Sequence, residues 1–295
     1  MPKGEKPDGG RYRLLLTTAL ENLFEVKRAG DAVKRLFDRG AVGMKTNCIA
    51  RRNNSTPVAL VEALGDVLEE SGIEANDIVI WERTNRELEA AGFKLNASNF
   101  GRRCLGTDSK GFGYGRKLYS SGNVSSLISN ILTDLINYNI NVTVLKDHSL
   151  AGLSGGLKNM YGAIHNPNKY HDDNCDPFAA HVNNLEPIRA RNRLTIIDAH
   201  RVQFHGGPGY DSRFLQPYGG LIISNDPVAA DRVALEILEK VRRKNGKPSL
   251  AESGRPVKYL ASAEKIGLGT ATMEKIALNI LEVQAGGRVS RGGEL

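Results

Sequence analysis

The side chains best suited to chemistry in this sequence collect in segment 145–171, LKDHSLAGLSGGLKNMYGAIHNPNKYH. Lys146 and Lys158 can hold negative charge, and His148 or His171 can serve as acid, base or metal ligand. Gly152, Gly155 and Gly156 form a flexible turn before a helix predicted to start near Leu157. Backbone N–H groups left free at such a turn can cradle an anion, with Lys158 adding charge and Asn159 an amide. The spacing is neither that of a phosphate-binding P-loop nor G-x-G-x-x-G, and a plain strand-to-helix turn accounts for the glycines equally well. On this reading His148 and Lys146 are candidate catalytic groups, and Gly155, Gly156, Lys158 and Asn159 candidate ligand-binding residues.

His165, Asp172, Asp173, Cys175 and His181 add further donors nearby. Imidazole, carboxylate and thiolate together suit a transition metal rather than Ca²⁺ or Mg²⁺. His148 and His171 are the pair expected in one site, because the Asn166-Pro167-Asn168 turn can return the chain towards the end of the preceding strand. No spacing matches a known ligand frame, and each histidine taken singly reads equally as a core or surface residue. Cys48, Cys104 and Cys175 are far apart without a C-x-x-C pair, so a complete four-cysteine iron–sulfur cluster or zinc site within this chain is not expected.

The elements that must position these groups read as α/β. Short apolar runs rich in β-branched residues, at 42–45, 77–81, 141–145, 194–197 and 221–224, alternate with segments of helical period. That is the pattern of a mainly parallel sheet flanked by helices. One helical face carries Leu20, Leu23 and Phe24, and a second carries Val33, Leu36 and Phe37. A third helix opens at Thr56-Pro57, with Thr56 as N-cap, buries Leu60, Leu64 and Leu68, and ends at Gly72. A further helix is expected over 124–138. Residues 96–122 lack a clear period and read as an irregular Gly/Arg-rich insertion or hairpin. The whole chain, 1–295, reads as one α/β domain with a frayed tail from residue 286.

Ligands in open parallel sheets bind beyond the carboxyl ends of the strands. Those ends collect Lys45, Asn47 and Cys48; Glu82 and Arg83; Lys146, Asp147 and His148; Asp198 and His200; and Asn225 and Asp226. Lys45, Asn47 and Asp226 join the candidate ligand-binding residues. Asp198 is a candidate general base or a turn cap. Asp226 also reads as the N-cap of a helix with Pro227 in its first turn and Asp231 inside it.

The composition is globular, with 40% apolar and 25% charged residues among 295. No run reaches the roughly 18 apolar residues of a membrane helix, the nearest being broken by Ser129, Asn130, Thr133, Asp134 and Asn137. Met1 to Leu15 carries Lys3, Lys6, Arg11 and Arg13 without a following apolar core and cleavage site. As it stands the chain reads as soluble and cytoplasmic, or as exported if a signal was trimmed. A net charge of +7 includes a basic stretch from Lys94 to Lys117, interleaved with Phe100, Phe112 and Tyr114. No nucleic-acid fold signature accompanies it, so a substrate loop is the favoured reading over a nucleic-acid arm.

Six blocks then carry a family resemblance: VGMKTNC (42–48), KDHSLAGLSGGLKNMYGAIHNPNKYH (146–171), RLTIIDA (193–199), GGPG (206–209), SNDPVAADRVALEIL (224–238) and IGLGT (266–270). Together, over about residues 40–270, the chain resembles the domain of unknown function 362 family. The resemblance implies an α/β fold and emphasises Lys45, Asn47, Lys146, His148, Lys158, Asn159, Lys169, His171, Asp198 and Asp226. Members of that family include exported proteins and proteins with a ferredoxin-like iron–sulfur extension, which implies a redox partner. This chain has neither a twin-arginine signal nor the cysteine-rich segment. The resulting expectation is an enzyme acting on an anionic small molecule or cofactor, metal- or redox-dependent. The alternative is a binding protein that captures such a ligand without turning it over.

Overall fold

The computed structural model describes residues 7–284, 287–293 and 295; Lys3 and Lys6 of the basic N-terminal stretch and Gly286 of the tail lie outside them. The strands are β1 (Val42–Lys45), β2 (Ile78–Glu82), β3 (Arg103–Gly106), β4 (Tyr119–Ser121), β5 (Val124–Ser126), β6 (Tyr138–His148), β7 (Gly152–Ser154), β8 (Asn192–Gln203), β9 (Leu215–Ser224), β10 (Leu281–Val283) and β11 (Val289–Arg291). The helices are α1 (Gly9–Leu23), α2 (Ala29–Leu36), α3 (Val58–Glu70), α4 (Asn85–Ala91), α5 (Gly156–Asn159), α6 (Phe178–Asn183), α7 (Glu186–Arg191), α8 (Pro227–Lys244) and α9 (Tyr259–Lys265). No described helix is long and apolar enough to cross a membrane.

A mostly parallel sheet runs in the order β3-β2-β1-β6-β8-β9, with β7 paired to β6 off that path. The first five of these strands are parallel to their neighbours, whereas β9 is antiparallel to β8 and β7 to β6. Side chains alternate across a strand, and the packing follows that period. Val42, Met44, Ile78 and Ile80 pack with Leu16, Leu20, Leu60 and Leu64 from α1 and α3, while Val79 and Trp81 enter a second core with Ile131, Tyr161 and Ala179. Lys45, one residue past Met44, therefore faces the second layer. A third cluster joins Leu145, Ile197 and Ala199 to Ala234, Ile237 and Leu238 of α8.

Five expectations need correction. The fifth predicted strand is the end of β9, which is antiparallel to β8; the connection, residues 204–214, holds no α-helix to carry the chain back across the sheet as parallel strands require. The expected helix at 124–138 is instead β5, a π-helical turn over Ile131–Leu135 and the start of β6. Its helix-like apolar spacing is genuine, since Val124, Ile128, Ile131, Leu132 and Ile136 are all buried, but the polar positions bond elsewhere: Ser129 Oγ lies 2.7 Å from Thr107 Oγ1. The insertion at 96–122 contains β3, an edge strand of the main sheet, as well as half of a hairpin of the kind expected there, β4–β5. Thr56 does not cap α3; its hydroxyl accepts from Asn47 N–H at 2.8 Å and donates to the Val142 carbonyl. Part of the tail expected to fray pairs as β11 with β10.

Candidate functional site

Strand order reverses at β1, which has β2 on one side and β6 on the other. A crevice at such a switch point is where open α/β sheets bind ligands. Here it is deepened by unequal strands: Lys45, the last residue of β1, pairs with Asn141, whereas β6 runs on to His148. The resulting pocket, about 150 Å³, is lined by Asn47, Ile49, Glu82, Arg83, Glu87, His148, Ser154, Gly155, Lys158, Asn159, Tyr161, Gly162, Pro167, Asn168, His171 and Pro208. A larger cavity, about 430 Å³, lies between α1, β9 and α8, but its walls are mainly aliphatic, such as Leu15, Leu221, Val233 and Ile237, and hold none of the candidate residues.

The pocket floor is a directed chain of amides. Lys146 Nζ donates to Asn47 Oδ1 at 2.9 Å, Asn47 Nδ2 to Asn159 Oδ1 at 3.1 Å, and Asn159 Nδ2 to Asn141 Oδ1 at 2.8 Å. Asn141 Nδ2 in turn donates to the Gly156 carbonyl at 2.7 Å. Each amide orientation is thereby specified by its neighbours. Lys146 is fully buried and also bonds the Asn54 carbonyl, so it lies behind the wall rather than on it, and burial pushes its ammonium down to about 7. Lys45 likewise stands behind the wall, where its ammonium pairs with Glu82 and donates to the Thr46 carbonyl at 2.7 Å.

Two histidines and a lysine form the facing wall. The rings of His148 and His171, expected to share one site, stack with centroids 6.0 Å apart. His148 Nδ1 accepts from the N–H groups of Leu150 at 3.1 Å and Ala151 at 3.2 Å. Burial and the nearby Lys158 push this imidazole down to about 3, so it is neutral with its proton on Nε2. Lys158 Nζ lies 2.9 Å from His171 Nε2 and 3.5 Å from the centroid of the Tyr161 ring. Burial pushes Lys158 down to about 8, and burial with Lys158 lowers His171.

The glycine turn has a different role from the anion cradle expected of it. The N–H groups of Gly156 and Leu157 donate to the buried carboxylate of Asp231 in α8, the second at 3.0 Å. Burial pushes that carboxyl up to about 7 against the pull of the two N–H bonds. A Cβ on Gly155 would fall 2.3 Å from Asp231 Oδ1, and one on Gly156 would fall 2.6 Å from Thr195 Cγ2, so both glycines are required by space. Gly155 still lines the pocket; Gly156 does not.

Asp198 and Asp226 lie apart from the pocket. Asp198 sits within β8 opposite Val144, where it accepts from His200 N–H at 3.0 Å and meets Tyr12 Oη at 3.4 Å. Asp226 caps α8, accepting from Val228 and Ala229, and its second oxygen accepts from Thr270 N–H at 2.8 Å. Because β9 is antiparallel, Ser224 pairs with Thr195 near the start of β8, which places Asp226 at the opposite end of the sheet.

The donor set does not fit a metal. Among the described residues no three His, Cys, Asp or Glu side chains converge, and His171 Nε2 already faces Lys158. Cys48, Cys104 and Cys175 are buried and unpaired, and burial raises all three thiols. Sequence reasoning missed Ile49, Glu87, Tyr161, Gly162 and Asn168 as pocket residues. Tyr161 was traceable, since it lies one helical turn after Lys158 and presents its ring to that ammonium.

Fold and pocket define an α/β protein with a mostly parallel sheet and a polar crevice at its switch point. The chain belongs to the family Domain of unknown function (DUF362), whose model matches residues 42–236. A crystal structure of a Thermotoga maritima protein, a structural genomics target, is similar at 12% identity with a TM-score of 0.45, covering 82% of this chain and 61% of that one. The chain thus spans less than two thirds of that protein's length. No curated protein matches it.

Proposed function

We propose that the pocket binds a small anionic molecule and that the chain is an enzyme moving protons on the bound anion. The observation carrying this reading is Lys158, only 8% exposed, whose ammonium rests on a neutral imidazole and an aromatic face. Among the described residues it has no carboxylate partner. Buried charges are ordinarily paired, so an anion entering the pocket would supply the missing partner. His148 Nε2–H and the Arg83 guanidinium add donors on the same lining. With its pKa lowered to about 8, Lys158 can give or take a proton near neutrality, and His171 is placed to exchange it. That titratable pair favours an enzyme over a binding protein, which would need donors alone. The buried Lys146 holds the amide floor rather than touching the ligand, and no metal is required by the donors present.

Sulfate tests this reading because its charge is constant across the relevant range. Titrated into the protein and followed by the ring-proton resonances of His148 and His171, it should give saturable shifts. Affinity should fall as pH rises through about 8, because Lys158 loses its charge there. Lys158→Met should weaken binding by about tenfold to a hundredfold, the range for a charged hydrogen-bond partner. Binding indifferent to both pH and this substitution would place the anion elsewhere and defeat the proposal.

A further inference from the structure

The mouth of the pocket differs in character from its interior. At about 150 Å³ the pocket is well below the roughly 300–1,000 Å³ that encloses a drug-sized ligand, so an anionic head group fills it and the rest of the molecule must stand outside. Part of what meets that outer portion is apolar, beside the exposed Arg83 and Asn168. Ile49 lines the pocket yet is 59% exposed, on the loop after β1 between the buried Cys48 and Ala50. Pro208 lines it from the Gly206-Gly207-Pro208-Gly209 segment. That segment is tied to the turn after β6 by a 2.9 Å bond from Ser149 N–H to the Gly207 carbonyl. Leu150, whose N–H holds His148, is 49% exposed on the same turn.

Ile49 and Pro208, both on the lining, offer apolar surface to a ligand that stands out of the polar pocket, and covering that surface would favour binding. We infer that the ligand is amphipathic: an anionic group held at Lys158 and His148, joined directly to an aliphatic or aromatic group that packs on Ile49 and Pro208. This inference rests on the anion reading above and narrows its substrate class to anions that carry such an apolar group.

Methanesulfonate and benzenesulfonate separate the two ideas, since both carry one constant negative charge and differ in the attached group. Benzenesulfonate should bind about tenfold more tightly, in competition with sulfate, because its ring leaves water against Ile49 and Pro208. In Ile49→Ser the ratio of the two affinities should fall towards one, and in Ile49→Phe it should rise. Ile49 is exposed, so neither substitution threatens folding. Equal affinities in the wild-type protein, or a ratio that survives Ile49→Ser, would overturn the inference while sulfate binding left the anion reading standing. Failure of sulfate and of both sulfonates to bind would overturn the two together.

Discussion

Glu82→Ala should cost about 3–5 kcal/mol in urea unfolding, the range for breaking a buried ion pair by removing one partner. The side chains of Lys45 and Glu82 are 1% and 7% exposed. Glu82 also accepts from Arg83 N–H at 2.8 Å and Cys48 N–H at 3.1 Å, so its loss strands an ammonium and two backbone donors at once. Gly162 packs closely on the pair, since an added Cβ there would sit 2.9 Å from Lys45 Nζ. Replacing both partners, Lys45→Met with Glu82→Leu, should recover most of the loss, because the desolvation cost disappears with the charges. A single variant within about 1 kcal/mol of wild type would mean that water reaches the pair.

Asp147→Ala should have an effect of similar size for a different reason. One buried carboxylate serves two arginines: Arg255 Nη1 donates to it at 2.7 Å and Arg242 Nη1 lies 3.6 Å away. Without it, two guanidiniums face each other in a site where Arg242 is 1% exposed. Arg242 would keep the carbonyls of Phe204 and Pro248, and Arg255 that of His148 at 3.0 Å, so the cluster would shift rather than empty. A loss of about 3–5 kcal/mol is expected, with displaced His148 resonances marking the route to the pocket. Asp147→Asn, which keeps an acceptor for Gly207 N–H, should lie between the two. Unchanged His148 resonances in a destabilised Asp147→Ala would separate this cluster from the site.

These two carboxylates also show where the sequence was legible. Apolar runs located β1 and β2 nearly to the residue, and the polar residues just beyond them, Asn47 and Glu82, do enter or support the pocket. The rule of looking past strand ends worked where strands are short. It was less exact where they are long: Lys146 and Asp147 read as a loop but are buried strand residues of β6, enclosed by β7, β8 and the 206–209 segment, and of the three only His148, at the strand end, lines the pocket. Asp198 was misplaced for the same reason, since β8 continues to Gln203.

Asp226 was assigned from a strand direction that the sequence left open, because the expected strands, ending at 197 and starting at 221, leave room for a crossover, whereas β8 and β9 extend into that gap as a hairpin. Asp231 carried a signal in its period: it lies three and seven residues before Ala234 and Leu238, on the buried stripe of α8, and Arg242 repeats the pattern. A charge on an apolar stripe implies a buried partner, and both residues have one, in the Gly156 turn and in Asp147. Periodicity says nothing about which partner, because that depends on contacts across the sheet. The meeting of His148 with His171 followed from the turn at Asn166 to Asn168, whereas the placement of Lys158 against His171 depended on a short helix whose rotation no pattern specifies.

The central claim, that Lys158 awaits an anion, is tested most directly by a crystal structure of the protein with selenate, whose anomalous scattering marks its position independently of the surrounding atoms. The account predicts selenate in the pocket between β1 and β6, within hydrogen-bond distance of Lys158 Nζ and His148 Nε2, and its absence from Lys158→Met crystals. Selenate bound only at other basic sites, with Lys158 still on His171 at saturating concentration, would contradict it.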